Sequence, residues 1–147
     1  MTELSRRALI SGICGIAALS MVPISAEAST LVKKLPKGRL SFKVSDAAKI
    51  VDVGNSVAIG QVKGQPVGLF RSGPSTFSAF SLACPHQGVT VERSDAGWFC
   101  SAHESKFAIN GALEFGPATT ALRKVPVKVS RGVATIGYRA GISRSNI

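Results

Sequence analysis

Two short runs constrain this chain more than anything else in it: Cys84-Pro85-His86-Gln87-Gly88 and Cys100-Ser101-Ala102-His103-Glu104-Ser105. Each offers one thiolate and one imidazole, and together they use two of the three cysteines and both histidines. Thiolate and imidazole are the side chains that suit soft and borderline metals. Their concentration in two runs therefore points to a metal centre. The 13 residues between His86 and Cys100 leave room for a strand, a turn and a second strand, which would set two ligand loops side by side at the tips of paired hairpins. A disulfide between Cys84 and Cys100 is the competing reading of the thiols, and it leaves two nearby histidines unexplained.

The rest of the composition says what kind of scaffold is available. At 147 residues, 45% hydrophobic and 18% charged, the chain has room for one ordinary domain with a sizeable core, and disorder is not expected. Three cysteines cannot supply the disulfide framework of a small secreted domain. The formal charge of +10 predicts attraction to anionic partners, such as an acidic redox protein or an anionic lipid surface, and a nucleic-acid partner is not expected. A basic surface kept only for solubility is the alternative.

Helical periodicity is scarce after residue 39. Residues 40–44 and 125–129 alternate apolar and polar side chains as half-buried strands do, with Pro126 moving the second run towards a sheet edge. The β-branched residues 50–53 read as a short strand closed by the turn at Gly54-Asn55-Ser56. Residues 57–62 and 67–71 flank Lys63-Gly64-Gln65-Pro66 and predict a hairpin with a four-residue loop. Residues 76–82 lead into Cys84, so the first ligand loop is expected to follow a strand. Residues 89–92 and 97–99 flank a turn-rich link at 93–96. Asn110-Gly111 is a two-residue hairpin signal between residues 107–109 and 112–115, and residues 133–138 supply the last strand. The fold class expected is all-β, built from many short antiparallel strands.

At the N-terminus, Ser5-Arg6-Arg7-Ala8-Leu9-Ile10 is followed by a modestly apolar run to about Ile24, then by Ala26-Glu27-Ala28. The segment looks like a twin-arginine export signal with a cut expected after Ala28; an uncleaved anchor is the alternative, although the run falls short of the roughly 20 apolar residues that span a bilayer. Cys14 is taken as part of this signal. Losing residues 1–28 removes Arg6, Arg7, Glu3 and Glu27 together, so the remainder keeps a charge of +10. The domains expected are thus a signal at 1–28, a basic irregular lead-in at 29–39, the folded domain at 40–138 and a basic tail at 139–147.

The ligand order, C-x-H and then C-x-x-H, resembles the Rieske [2Fe-2S] motif. The resemblance implies that Cys84 and Cys100 hold one iron and His86 and His103 the other, on a Rieske-type all-β domain with the cluster between two hairpin loops. The segment from Gly111 to Thr119, containing Gly116-Pro117, is similar to the proline-containing loop that covers the cluster in this family. Ser105 matches a serine that donates a hydrogen bond to cluster sulfur, whereas Phe107 stands where a tyrosine would donate another. Val89 and Ala102 stand where the subunits of cytochrome bc complexes carry a disulfide, and Glu104 where glycine is usual. Zinc accepts the same four ligands, although zinc fingers group cysteine with cysteine and histidine with histidine.

The function implied is one-electron transfer, by a lone carrier or the small subunit of an oxidoreductase, outside the cytoplasmic membrane. The export signal favours a folded, periplasmic protein, because an iron-sulfur group must be inserted before export by this route. Its partner would be an acidic redox protein or a larger oxidoreductase subunit, with membrane association if the N-terminal segment stays attached. Arsenite-oxidase-like and quinol-oxidising bc complexes are the alternative parents, and a structural zinc module the outlying one. An oxygenase site would need further histidines for a mononuclear iron, and the sequence has none left.

Overall fold

The computed structural model describes Ile24 and residues 26–137. The paired Arg6 and Arg7, Cys14, and the tail from residue 138 onward lie outside the described residues. Twelve strands and two short helices follow in the order α1 (Ala26–Leu31), β1 (Lys33–Leu35), β2 (Arg39–Lys43), α2 (Ala47–Ile50), β3 (Ser56–Val62), β4 (Gln65–Arg71), β5 (Phe77–Ser81), β6 (Glu92–Ser94), β7 (Gly97–Phe99), β8 (Lys106–Ala108), β9 (Leu113–Phe115), β10 (Lys124–Val125), β11 (Val127–Ser130) and β12 (Val133–Ile136). They form three four-stranded sheets: an outer one, β1-β2-β12-β11; a middle one, β10-β5-β4-β3; and a third, β6-β7-β8-β9. Every strand pairing is antiparallel. The all-β expectation holds.

The alternation of side chains along a strand is what lets the middle sheet serve two cores. Ala79 and Leu69 join Leu40, Phe42, Ala134 and Ile136 of the outer sheet in the first core. Phe80, the next residue along β5, faces the other way with Leu82 and Ala58, packing with Trp98, Phe107, Cys84 and Cys100 in the second. The rings of Phe80 and Trp98 meet edge to face at 5.8 Å. Gly68 on β4 makes room for this contact, since a Cβ there would come within 2.7 Å of the Phe80 ring. The candidate ligands therefore rest on a wall whose far side is the first core.

Several local expectations are corrected. The lead-in at 29–39 is not irregular: it contributes half of α1 and all of β1, because Ala28 is fully buried in the first core and β1 pairs with β2. Residues 50–53 are not a strand. α2 ends at Ile50 and delivers Ala47, Ile50 and Val51 to the first core in little more than one helical turn. The β3–β4 hairpin closes with Val62 opposite Gln65, so its loop is Lys63-Gly64 alone, both at positive φ (51° and 78°), the two-residue primed-turn geometry; Pro66 belongs to the strand. The Asn110-Gly111 turn is wider than two residues, for the Ala108 amide donates to the Ala112 carbonyl while the Asn110 side chain accepts from the Ala112 amide. Pro126 sits at an edge, as expected, and marks a change of sheet: β10 pairs with β5 before it and β11 with β12 after it.

Candidate metal centre

The two ligand loops share one backbone frame. In the first, the Cys84 amide donates to the Val89 carbonyl at 2.7 Å and the Gly88 amide to the Cys84 carbonyl at 2.7 Å. In the second, the Cys100 amide donates to the Ser105 carbonyl at 2.9 Å and the Glu104 amide to the Cys100 carbonyl at 2.8 Å. Both loops turn on a residue in the left-handed region four places after the cysteine: Gly88 at φ 75° and Glu104 at φ 64°. Glycine reaches that region freely; a side chain costs about 1 kcal/mol or more. The first loop leaves β5 through Ala83, which bridges to Thr90, and the second leaves β7 directly. Each cysteine is thereby fixed at the end of a paired element.

Both thiols are free and buried, at 1% and 0% exposure for Cys84 and Cys100. The disulfide reading of these two residues is thus not adopted by the fold. The imidazoles of His86 and His103 converge edge to face, with centroids 4.7 Å apart. His86 is exposed and His103 half-buried. Nδ1 of His103 is fully buried and has no hydrogen-bond partner. A buried lone pair or N–H without a partner costs about 1–3 kcal/mol, so the geometry calls for a group that this nitrogen can bind. Among the described residues no three His, Cys, Asp or Glu side chains are grouped about one ion position. A dinuclear cluster needs only two protein donors on each iron, a number that two cysteines and two histidines supply.

Ser105 is fully buried, and its Oγ accepts from the Ala118 amide at 3.0 Å. That bond leaves the hydroxyl proton free to donate inward and ties the second loop to the segment just after Gly116-Pro117. Ala118 and Leu122 belong to the second core with both cysteines, so the proline-containing segment lies against the site as the resemblance predicted. Phe107 is buried in the same core. Val89 is half-buried, Ala102 and Glu104 are exposed.

A second group of residues was not singled out by sequence. The Trp98 indole donates to the Ser56 hydroxyl at 3.0 Å. The Arg93 guanidinium lies 5.8 Å from the Trp98 ring and donates to the carbonyls of Ser56, Ser94 and Gly97 and to the Asn55 side chain. These contacts, 37 and 38 residues apart for Arg93 with Ser56 and Asn55, brace the third sheet against the start of β3. Only the single tryptophan and a lone arginine in a turn-rich link could have signalled them.

Free thiols, converging imidazoles and a buried serine come together on a three-sheet antiparallel scaffold, a set of side chains suited to an iron-sulfur centre. Residues 42–126 match the model of the Rieske [2Fe-2S] domain, more than half of the chain, and the chain belongs to that family. A Rieske domain binds a [2Fe-2S] cluster. The chain is 35% identical over 65 residues to the ferredoxin component of the alkene monooxygenase system of Xanthobacter autotrophicus, covering 42% of this chain and 53% of that protein; it spans about half the length of that relative. The fold is shared with the plasma membrane Rieske protein of Synechocystis PCC 6803 (TM-score 0.50, 23% identity, 64% of this chain and 93% of the other). It is shared also with a naphthalene 1,2-dioxygenase variant bound to phenanthrene (TM-score 0.51, 20% identity, 60% of this chain and 24% of the other).

Proposed function

We propose that Cys84 and Cys100 hold one iron of the cluster and His86 and His103 the other, with Ser105 donating a hydrogen bond to cluster sulfur. The observation that carries this assignment is the buried, unpartnered Nδ1 of His103 beside the His86 ring. Mixed ligation replaces two anionic ligands by neutral ones, which raises the reduction potential relative to all-cysteine clusters. The chain's own residues supply burial of the thiolates, orientation of the imidazoles and one hydroxyl donor. Iron and acid-labile sulfide analysis with EPR of the reduced protein tests the reading. Equal iron and sulfide with a Rieske-type signal is expected, and zinc alone would overturn it.

The chain works as a lone carrier or as the small subunit of a larger oxidoreductase, outside the cytoplasmic membrane. Support for a larger partner comes from the monooxygenase-system relative; support for the location comes from Arg6, Arg7 and the apolar run to Ile24. The burial of Ala28 in the first core argues against the cut expected after it and favours retention of the segment as an anchor. N-terminal mass analysis of the exported protein tests this: an intact N-terminus is expected, and a chain starting at Ser29 would refute retention. The acidic redox partner suggested by the net charge needs a different placing, as the distribution of charge shows.

A further inference from the structure

The +10 charge is not spread over the molecule. Residues 83–117, which carry both ligand loops and the third sheet, hold four carboxylates (Glu92, Asp95, Glu104, Glu114) against two cations (Arg93, Lys106). The end that would exchange electrons is therefore mildly acidic. Residues 33–43 and 127–136, which form the outer sheet and the turns joining β1 to β2 and β11 to β12, hold seven cations (Lys33, Lys34, Lys37, Arg39, Lys43, Lys128, Arg131) and no carboxylate. Register places four of these cations, Lys33, Arg39, Lys43 and Lys128, on one face, whereas Lys34 shares a row with Leu40, and Lys37 and Arg131 lie in the turns. Directly paired residues of an antiparallel sheet share a side. Leu40 with Ile136 and Phe42 with Ala134 point into the first core, so the intervening rows, Lys33–Ser41–Thr135–Lys128 and Lys43–Val133–Ser130, point away from it. Lys33, Lys43, Lys128, Ser130 and Val133 are exposed.

We infer that this outer sheet face is a docking surface for anionic lipid headgroups, so that the molecule lies with its cluster end turned away from the membrane. An acidic redox protein is the other occupant that charge would attract, and the geometry disfavours it. Packed sheets are about 10 Å apart, so a partner seated on the outer sheet would be separated by the whole middle sheet from the third sheet, which it would meet only across two layers, roughly 20 Å, and by one layer from the strand that leads into the first ligand loop. Near the ligands it would meet carboxylates instead. A lipid surface needs no such proximity. The chain also enters the outer sheet at β1 straight after α1, so the apolar run of the N-terminal sequence, ending at about Ile24, is joined to this same layer. A basic patch on the layer next to an apolar segment adds electrostatic attraction to anionic lipids to the attachment that the segment gives by burying apolar area.

The test uses the full, cluster-loaded chain and vesicles of phosphatidylcholine with and without a quarter of phosphatidylglycerol. Each basic residue near an anionic surface contributes about fivefold in partition. The double variant Lys33→Gln/Lys43→Gln should bind the anionic vesicles about 30-fold more weakly than the parent, while binding to neutral vesicles stays the same. Lys106→Gln, a like change per charge at the cluster end, should stay within about twofold, and the visible absorption of the cluster reports that each variant is folded. Binding indifferent to lipid charge, or an equal loss per charge at Lys106, would overturn the inference. So would capture of an acidic redox protein by this face without any preference among vesicles. Iron analysis tests the ligand assignment separately, and neither result depends on the other.

Discussion

The loops at residues 84–89 and 100–105 have the same backbone hydrogen bonds and the same left-handed turn, yet they are furnished differently. The first carries glycine at the turn and an exposed histidine two places after its cysteine; the second carries glutamate at the turn and a half-buried histidine three places after. Only the second is tied through a side chain to the proline-containing segment, by the Ala118 amide on Ser105. The common frame positions the metal-binding atoms. On the proposed ligand assignment, the differences would put the tuning of the redox centre on the second loop and its solvent-facing edge on the first.

The largest effects should erase the comparison. Cys84→Ser or Cys100→Ser removes a thiolate from a buried site, and either should abolish loading, read as loss of iron, labile sulfide and visible absorption. The two loops are expected to be equivalent in this respect, so a variant that retained a normal cluster would break the symmetry and the ligand assignment with it.

Next comes the asymmetry itself. Ser105→Ala removes a donor to a charged group, worth about 1.5–3 kcal/mol, and should lower the reduction potential by roughly 60–130 mV. Val89→Ala, at the matching position of the first loop, should leave the potential where it was. Protein-film voltammetry of both variants decides the matter; equal shifts would mean that the serine acts only through packing.

A smaller, reciprocal pair concerns the turns. Gly88→Ala should destabilise the holo-protein by about 1 kcal/mol, and Glu104→Gly should stabilise it by a similar amount, since each exchanges a free left-handed residue for a strained one or the reverse. For a domain of this size the thermal midpoint should move by about 3–4 °C in opposite directions. Shifts of the same sign would show that the two turns are not interchangeable. Smallest of all, Glu104→Gln should change the potential by less than about 20 mV, because the carboxylate is exposed and screened. A larger rise would place that charge against the cluster.

The ligand runs were legible because their chemistry is local: four donor side chains within two short stretches announce themselves whatever the surrounding fold. The strands of the middle sheet were legible for a similar reason, since the short apolar runs at 57–62 and 67–71 and the apolar-hydroxyl run at 76–82 are local patterns. What escaped is decided at a distance or by a single turn. Residues 50–53 look like a strand by their β-branching, but Ile50 and Val51 satisfy the first core from the end of a four-residue helix. Pro66 suggested a longer loop because proline is usually read as punctuation, and it fits its strand opposite Gln61. Glu104 gives no sign of adopting the conformation that Gly88 adopts; only the repeated hydrogen bonds reveal it. Arg93 and Ser56 have no mutual signature at all, being joined only when the third sheet folds back on β3.

That brace has an optical consequence. Trp98 is the only tryptophan of the chain, it lies fully buried two residues before Cys100, and its indole is held by Ser56. Its fluorescence should be quenched while an absorbing centre sits beside it and should brighten when that centre is lost. A red shift should follow only once the indole gives up its partner and meets water. Intensity and wavelength thus offer two separate clocks, one for the loss of iron and one for the opening of the sheet that held it.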